Sequence, residues 1–226
     1  MVRLFSFFTL TLLLLGCGTQ TDTSPKAETA TKAEPLPQPV PADTRPVIAC
    51  FGDSLTAGYG LEAGSTYPDA LQKLLDGAGY SYRVVNLGIS GDTTQGALDR
   101  IQTVVEYTPK ITVVEIGGND GLRGIPVARS RDNLTQIVAR AKNAGSKVLL
   151  AGITLPPNYG REYIGQFEQM YATVAKSSAD AFLPFVLDGI WNAKGMMQND
   201  GIHPTAPGAE RMAQNVFKAL QPLLEK

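Results

Sequence analysis

One histidine, two cysteines and one tryptophan are all that the 226 residues contain of those types. The Cys and His side chains are Cys17, Cys50 and His203, too few for a four-ligand structural zinc site or a three-histidine catalytic one. Charge is also scarce and balanced: 20 basic side chains against 21 acidic ones leave a net −1. From Val47 onward 16 basic side chains face 17 acidic ones, again −1. With no strongly basic stretch, nucleic acid is not an expected partner. No Gly-x-Gly-x-x-Gly and no phosphate loop occurs, so neither a nucleotide cofactor nor a metal is expected. The longest apolar run, residues 4–15, falls short of the ~20 residues that comfortably span a bilayer.

What is present at the amino end is a targeting pattern. Arg3 supplies a positive start, and the Leu/Phe-rich run ends in Leu14-Leu15-Gly16-Cys17. That ending resembles the lipobox of bacterial lipoproteins. The resemblance implies removal of residues 1–16, diacylglycerol on the Cys17 thiol, and a lipid anchor in the bacterial cell envelope. Gly18 rather than Asp after Cys17 leans towards an outer membrane, with the protein facing the periplasm. Several acyl chains would make the attachment stable, each buried CH₂ contributing ~0.8 kcal/mol. An ordinary signal peptide that happens to contain a cysteine, or an uncleaved anchor, is the other reading.

Residues 18–46 hold no aromatic side chain, and Pro35, Pro37, Pro39 and Pro41 alternate along an extended spacer. Such a segment buries too little apolar surface to offset the entropy of ordering it. Residues 17–46 are therefore expected to be a disordered tether, and residues 47–226 a single domain.

Within that domain short apolar runs alternate with amphipathic ones. Residues 47–51 read as a buried strand followed by a loop. Thr66 begins a helix with Asp69 as its capping partner, closed by Gly77 and Gly79. Strands are expected at 83–87, 111–116 and 148–153. Helices are expected at 92–105, from Pro126 to about Asn143, at 162–176, and along the stripe from Ala209 to Leu224. Residues 182–187 read as an edge strand because Pro184 cannot donate to a central ladder. Strands apolar on both faces, alternating with helices, imply a three-layer α/β/α sandwich around a mostly parallel, flavodoxin-like sheet. In such sheets sites form at the carboxyl ends of the strands.

The candidate chemistry stands at those ends. Gly52-Asp53-Ser54-Leu55 follows the first strand, where a serine hydroxyl can face solvent among free backbone N–H groups. Alone, the same tetrapeptide is good turn chemistry. A serine nucleophile needs a base, and the base an orienter. His203 follows Asp200 by three residues, close enough for the carboxylate to reach Nδ1–H across a tight turn, leaving Nε2 to accept the serine proton. A surface histidine beside a helix start would look the same. A developing oxyanion needs fixed donors. Asn119, after the third strand, could supply its amide, and Gly91, after the second, an unobstructed N–H; each is also an ordinary loop residue. Asp53 and Asp120 read as loop-tying carboxylates that accept backbone N–H bonds. Cys50 reads as a small buried hydrophobe. Trp191, Met196 and Met197 read as core, with an acyl-pocket lining as the alternative for the two methionines.

Taken together the motifs resemble the GDSL/SGNH hydrolase family, in its bacterial thioesterase/lysophospholipase and arylesterase branch. Gly52-Asp53-Ser54-Leu55, Ile89-Ser90-Gly91-Asp92-Thr93, Gly117-Gly118-Asn119-Asp120, Leu155-Pro156-Pro157-Asn158-Tyr159-Gly160 and Asp200-Gly201-Ile202-His203-Pro204 occur in order. The resemblance implies Ser54 as nucleophile, His203 as base, Asp200 as orienter, and an oxyanion hole from the Ser54 and Gly91 N–H groups and the Asn119 side chain. The Gly-x-Ser-x-Gly pattern of α/β-hydrolases is absent. Lipobox and tether depart from freely soluble members of the branch.

The expected activity is hydrolysis of short or medium acyl esters, with thioesters and lysophospholipids included. Deacetylation of envelope glycans is the rival within enzymes, and a catalytically idle envelope lipoprotein the rival outside them. The expected partners are a small acyl ester and, through the lipid, a membrane; the chain is expected to be a monomer.

Overall fold

The computed structural model describes residues 43–226. The signal segment, Cys17 and most of the expected tether therefore lie outside the described residues.

Five strands form the middle layer: β1 (Val47–Gly52), β2 (Arg83–Gly88), β3 (Ile111–Glu115), β4 (Lys147–Ala151) and β5 (Ala181–Leu183). All pair in parallel in the order β2-β1-β3-β4-β5. Every residue of β1 and β3 is buried, as the unbroken apolar runs demand of strands covered on both faces.

Eight helices surround the sheet: α1 (Ser54–Ala57), α2 (Tyr67–Gly77), α3 (Thr94–Asp99), α4 (Gln102–Glu106), α5 (Gly118–Leu122), α6 (Val127–Asn143), α7 (Arg161–Ser178) and α8 (Ala206–Leu220). Strand side chains alternate between two faces, and the core divides accordingly. Ile48 and Cys50 join Leu71 and Leu75 of α2 and Met212 and Val216 of α8. Ala49 and Phe51 join Leu98 of α3, Ile137 of α6 and Phe167 of α7. The result is the three-layer α/β/α sandwich. Among the described residues no helix is long and apolar enough to cross a membrane.

Local signals account for most boundaries. The Thr66 hydroxyl accepts the Asp69 N–H while Asp69 accepts the Thr66 N–H, a reciprocal cap that contributes about 1 kcal/mol. Three expectations are corrected. The helix expected over residues 92–105 is two: α3 ends at Arg100, and Ile101 N–H bonds to Leu98 three residues back instead of continuing the α pattern. The loops expected after Gly52 and Gly117 each contain a helical turn, α1 and α5, too short to show a 3.6-residue period. The edge strand is only Ala181–Leu183, ending before Pro184. Residues just before Val47 touch the domain: the Pro46 carbonyl accepts the Arg83 N–H at 2.9 Å, and Arg45 pairs with Asp43 and Asp76.

Candidate active site

Strand β1 delivers Ser54 to the edge of the sheet. Gly52 closes the strand where a Cβ would overlap Thr56 Oγ1 and the Glu115 carbonyl, so only glycine fits this close approach of backbones. Asp53 then caps α1: its N–H still reaches Glu115 O at 3.2 Å, and its Oδ1 accepts the Leu55 N–H at 3.1 Å. Ser54 is the first helical residue. Among the described residues its N–H has no acceptor, as expected in a first turn.

The second segment comes from the loop before α8, which Thr205 caps. Asp200 Oδ1 accepts the N–H groups of Ile202 (2.9 Å) and His203 (3.0 Å), with Gly201 at φ +68 supplying the turn. Its other oxygen lies 2.7 Å from His203 Nδ1. Partial burial pushes the Asp200 carboxyl upward, but the bonds from His203 and Ile202 hold it down at about 2, so it is an anion at neutral pH. His203 Nε2 lies 2.8 Å from Ser54 Oγ. The Tyr59 ring, 4.6 Å from the imidazole between centroids, backs it.

The third and fourth segments follow β2 and β3. Ile89 to Asp92 is a turn closed by Asp92 N–H to Ile89 O at 3.2 Å, with Gly91 at φ +83 in the position that requires the left-handed region. Among the described residues the Gly91 N–H has no acceptor. Asn119 donates one amide hydrogen to the Asp92 carbonyl at 2.9 Å, leaving the other free. Asn119, Ser54 and His203 line one hollow. Gly91 stands beside that hollow, one residue from the carbonyl Asn119 binds, and is not part of its lining.

The hollow is mostly apolar, walled by Leu122, Ile153, Leu155, Leu187, Trp191 and Ile202. Sequence reasoning missed most of these. They come from the end of α5, the loop after β4 and the long connection between β5 and α8, and nothing in their local patterns distinguishes them from core. Trp191, expected only in the core, lines the hollow, whereas Met196 and Met197, the candidates for its lining, do not and pack against the core. Buried behind the serine turn is Glu115, whose Oε2 meets Thr56 Oγ1 at 2.7 Å while Oε1 has no partner. Burial pushes Glu115 well above the carboxylate range, and burial likewise raises Asp53 to about 7, with Asp92 and Asp120 adding repulsion. A carboxylate inside a β-branched strand was the available signal for Glu115. Asp120 ties the loops by accepting the Thr94 N–H at 2.8 Å and the Ser130 hydroxyl at 2.8 Å. Cys50 is fully buried, which pushes its thiol up to about 12. Among the described residues no cluster of three His, Cys, Asp or Glu could hold a metal.

A profile of the GDSL-like lipase/acylhydrolase family matches residues 50–211. The chain belongs to this family. Among its relatives, esterase TesA of Pseudomonas aeruginosa is 47% identical over 174 residues, 76% of this chain and 87% of that protein. The thioesterase 1/protease 1/lysophospholipase of Escherichia coli is 39% identical over 184 residues, 81% of this chain and 86% of that protein. A crystal structure of TesA superposes with TM-score 0.76 at 45% identity, covering 79% of this chain and 99% of that one. As a member of this GDSL-like family the chain is a carboxylic-ester hydrolase, and its sheet is the SGNH-hydrolase sheet.

Proposed function

We propose that the protein is a serine esterase in which Ser54 attacks the ester carbonyl, His203 takes the hydroxyl proton, and Asp200 orients the imidazole. The observation that carries this reading is the continuous line Asp200 Oδ2, His203 Nδ1–Nε2, Ser54 Oγ, with links of 2.7 and 2.8 Å. Attack forms a tetrahedral oxyanion held by the Ser54 N–H, the Gly91 N–H and the free Asn119 amide hydrogen. Collapse breaks the C–O bond of an ester or the C–S bond of a thioester, and the leaving alkoxide or thiolate takes the proton from Nε2. Water then attacks the acyl-Ser54 carbonyl, giving its proton to Nε2, and the carboxylic acid leaves as Ser54 recovers its hydrogen.

The apolar hollow beside Ser54 supports an acyl chain longer than acetyl, since acetate would leave Leu155, Leu187 and Trp191 uncovered. Short to medium acyl esters, acyl thioesters and lysophospholipids are the proposed substrates, in keeping with relatives named esterase, thioesterase and lysophospholipase. In this reading Cys17, outside the described residues, carries the lipid that holds the enzyme in the periplasm-facing envelope. The test is a series of nitrophenyl esters from acetyl to palmitoyl, run beside acyl-CoA and lysophospholipid. A maximum at intermediate chain length is expected; acetate release alone, from small esters and glycans, would replace this reading with a deacetylase.

A further inference from the structure

Arg100, at the end of α3, folds back over Phe51 with its guanidinium carbon 4.2 Å from the ring centroid. Its nitrogens reach three separate segments. Nε donates to Asp92 Oδ2 at 2.7 Å, Nη1 to the Leu87 carbonyl at 2.9 Å, and Nη2 to the Gly52 carbonyl at 2.9 Å. Gly52 ends β1, two residues before Ser54. Leu87 lies at the end of β2, on the path to Gly91. Asp92 follows Gly91, and its own carbonyl accepts the Asn119 amide. A single side chain thus bonds directly to the chain on either side of the Gly91 turn and just before Ser54, and reaches Asn119 through Asp92.

The ion pair is well suited to fixing geometry. Its side chains are 17% and 10% exposed, so the attraction is little screened, and the planar fork holds direction as well as distance. Lysine also has three N–H donors, but they diverge from a single nitrogen and lack the planar fork that meets these three acceptors from three separate nitrogens. Oxyanion donors act only when they lie within hydrogen-bond reach of the oxygen as its charge develops, and a displacement near 1 Å can cost on the order of 100-fold in rate.

We propose that Arg100, together with Asp92, is a positioning residue for catalysis: it sets the spacing of the Ser54 N–H, the Gly91 N–H and the Asn119 amide. The proposal rests on reading those three groups as the oxyanion hole. Arg100 touches no substrate; it acts through the Gly52 and Leu87 carbonyls and through Asp92. Losing it leaves the Asp92 carboxylate without its cation and the Gly91 turn free to move relative to Ser54.

A clip that merely stabilised the fold would lower the melting temperature and leave kcat of the folded enzyme intact. A positioning residue lowers kcat at nearly constant KM, and its effect depends on Asn119. The experiment measures kcat and KM on a medium-chain nitrophenyl ester for the full-length protein, Arg100→Met and Asp92→Asn, each with and without Asn119→Ala, well below each melting temperature. Asp92→Asn is nearly isosteric and keeps the backbone carbonyl that binds Asn119, so it decides the question if Arg100→Met does not fold. Both variants should lower kcat by about 10- to 100-fold with KM changed less than about threefold. In the Asn119→Ala background the same substitutions should cost less than about threefold, because partners in one network are not additive. Unchanged kcat, a loss confined to KM, or equal losses in both backgrounds would overturn the positioning role. If Asn119→Ala alone kept full kcat, the oxyanion reading itself would fall and the proposal with it, a result distinct from additive losses beside a damaging Asn119→Ala.

Discussion

His203 Nε2 sits 2.8 Å from Ser54 Oγ across 149 residues of chain. The contact joins the first βα turn of the fold to the loop before its last helix. Between them lie the four remaining strands, and the contact exists because α2 and α8 pack side by side on one face of the sheet. The approach of His203 to Ser54 is thus a property of the tertiary fold, whereas the Asp200–His203 bond is a property of one turn.

Asn119 should contribute to kcat more than to binding. Asn119→Ala is expected to lower kcat by about 10²- to 10³-fold, the usual effect of one oxyanion donor, with a smaller change in KM. Steady-state kinetics on one ester suffice, and a variant with full kcat and weaker binding would take Asn119 out of the hole.

Trp191, with Leu155 and Leu187, lines both the hollow beside Ser54 and a neighbouring groove that carries Phe185 and Asn192. Trp191→Ala should join the two and move the optimum of the nitrophenyl ester series to longer chains. An unchanged chain-length profile in the folded variant would place the acyl group elsewhere.

Asp53 has a stated sign of pH dependence. Burial raises its carboxyl from 3.8 to about 7, so between those values the folded protein binds more protons than the unfolded chain. Stability must then fall as pH rises through that window, and buried Glu115 acts in the same direction. Asp53→Asn keeps an acceptor for the Leu55 N–H and should flatten the decline of Tm between about pH 4 and pH 7. A slope identical to that of the parent would remove Asp53 from the balance.

Much of this was legible in the residues, for identifiable reasons. The buried runs of β1 and β3 and the Thr66 cap are local signals, and the structure repeats them. The pairing of Asp200 with His203 is also local, spanning three residues. What was hidden is either too short or too distant. The turns α1 and α5 contain four and five residues, less than two helical periods. The single helix expected over residues 92–105 breaks at Arg100, whose guanidinium is drawn back to carbonyls of β1 and β2 that no window around residue 100 contains. The apolar wall of the hollow is assembled from the end of α5 and two separate connections, so Leu187 and Ile153 read as core until the fold brings them beside Ser54.

Cys17 carries the cell-envelope claim independently of the chemistry. Fatty-acid labelling of the expressed protein, with the mature amino terminus read by mass spectrometry, should find lipid on a chain starting at Cys17. Unlabelled protein starting elsewhere would remove the anchor and leave the esterase site untouched. A chain beginning at Ala42 should retain full soluble activity, since it keeps the Arg45 and Pro46 contacts with the domain.

The most direct test of the account is the site and rate of covalent modification by an activated ethylphosphonate ester, followed by peptide mass mapping. Phosphorus takes the place of the ester carbonyl carbon, and its oxygen occupies the oxyanion position. One adduct on Ser54 is predicted, formed at least about 100-fold more slowly in His203→Ala, the scale of a lost general base. An adduct on any other residue, or parental speed in a folded His203→Ala variant, would contradict the Ser54–His203 couple, because the sequence holds no second histidine to take its place.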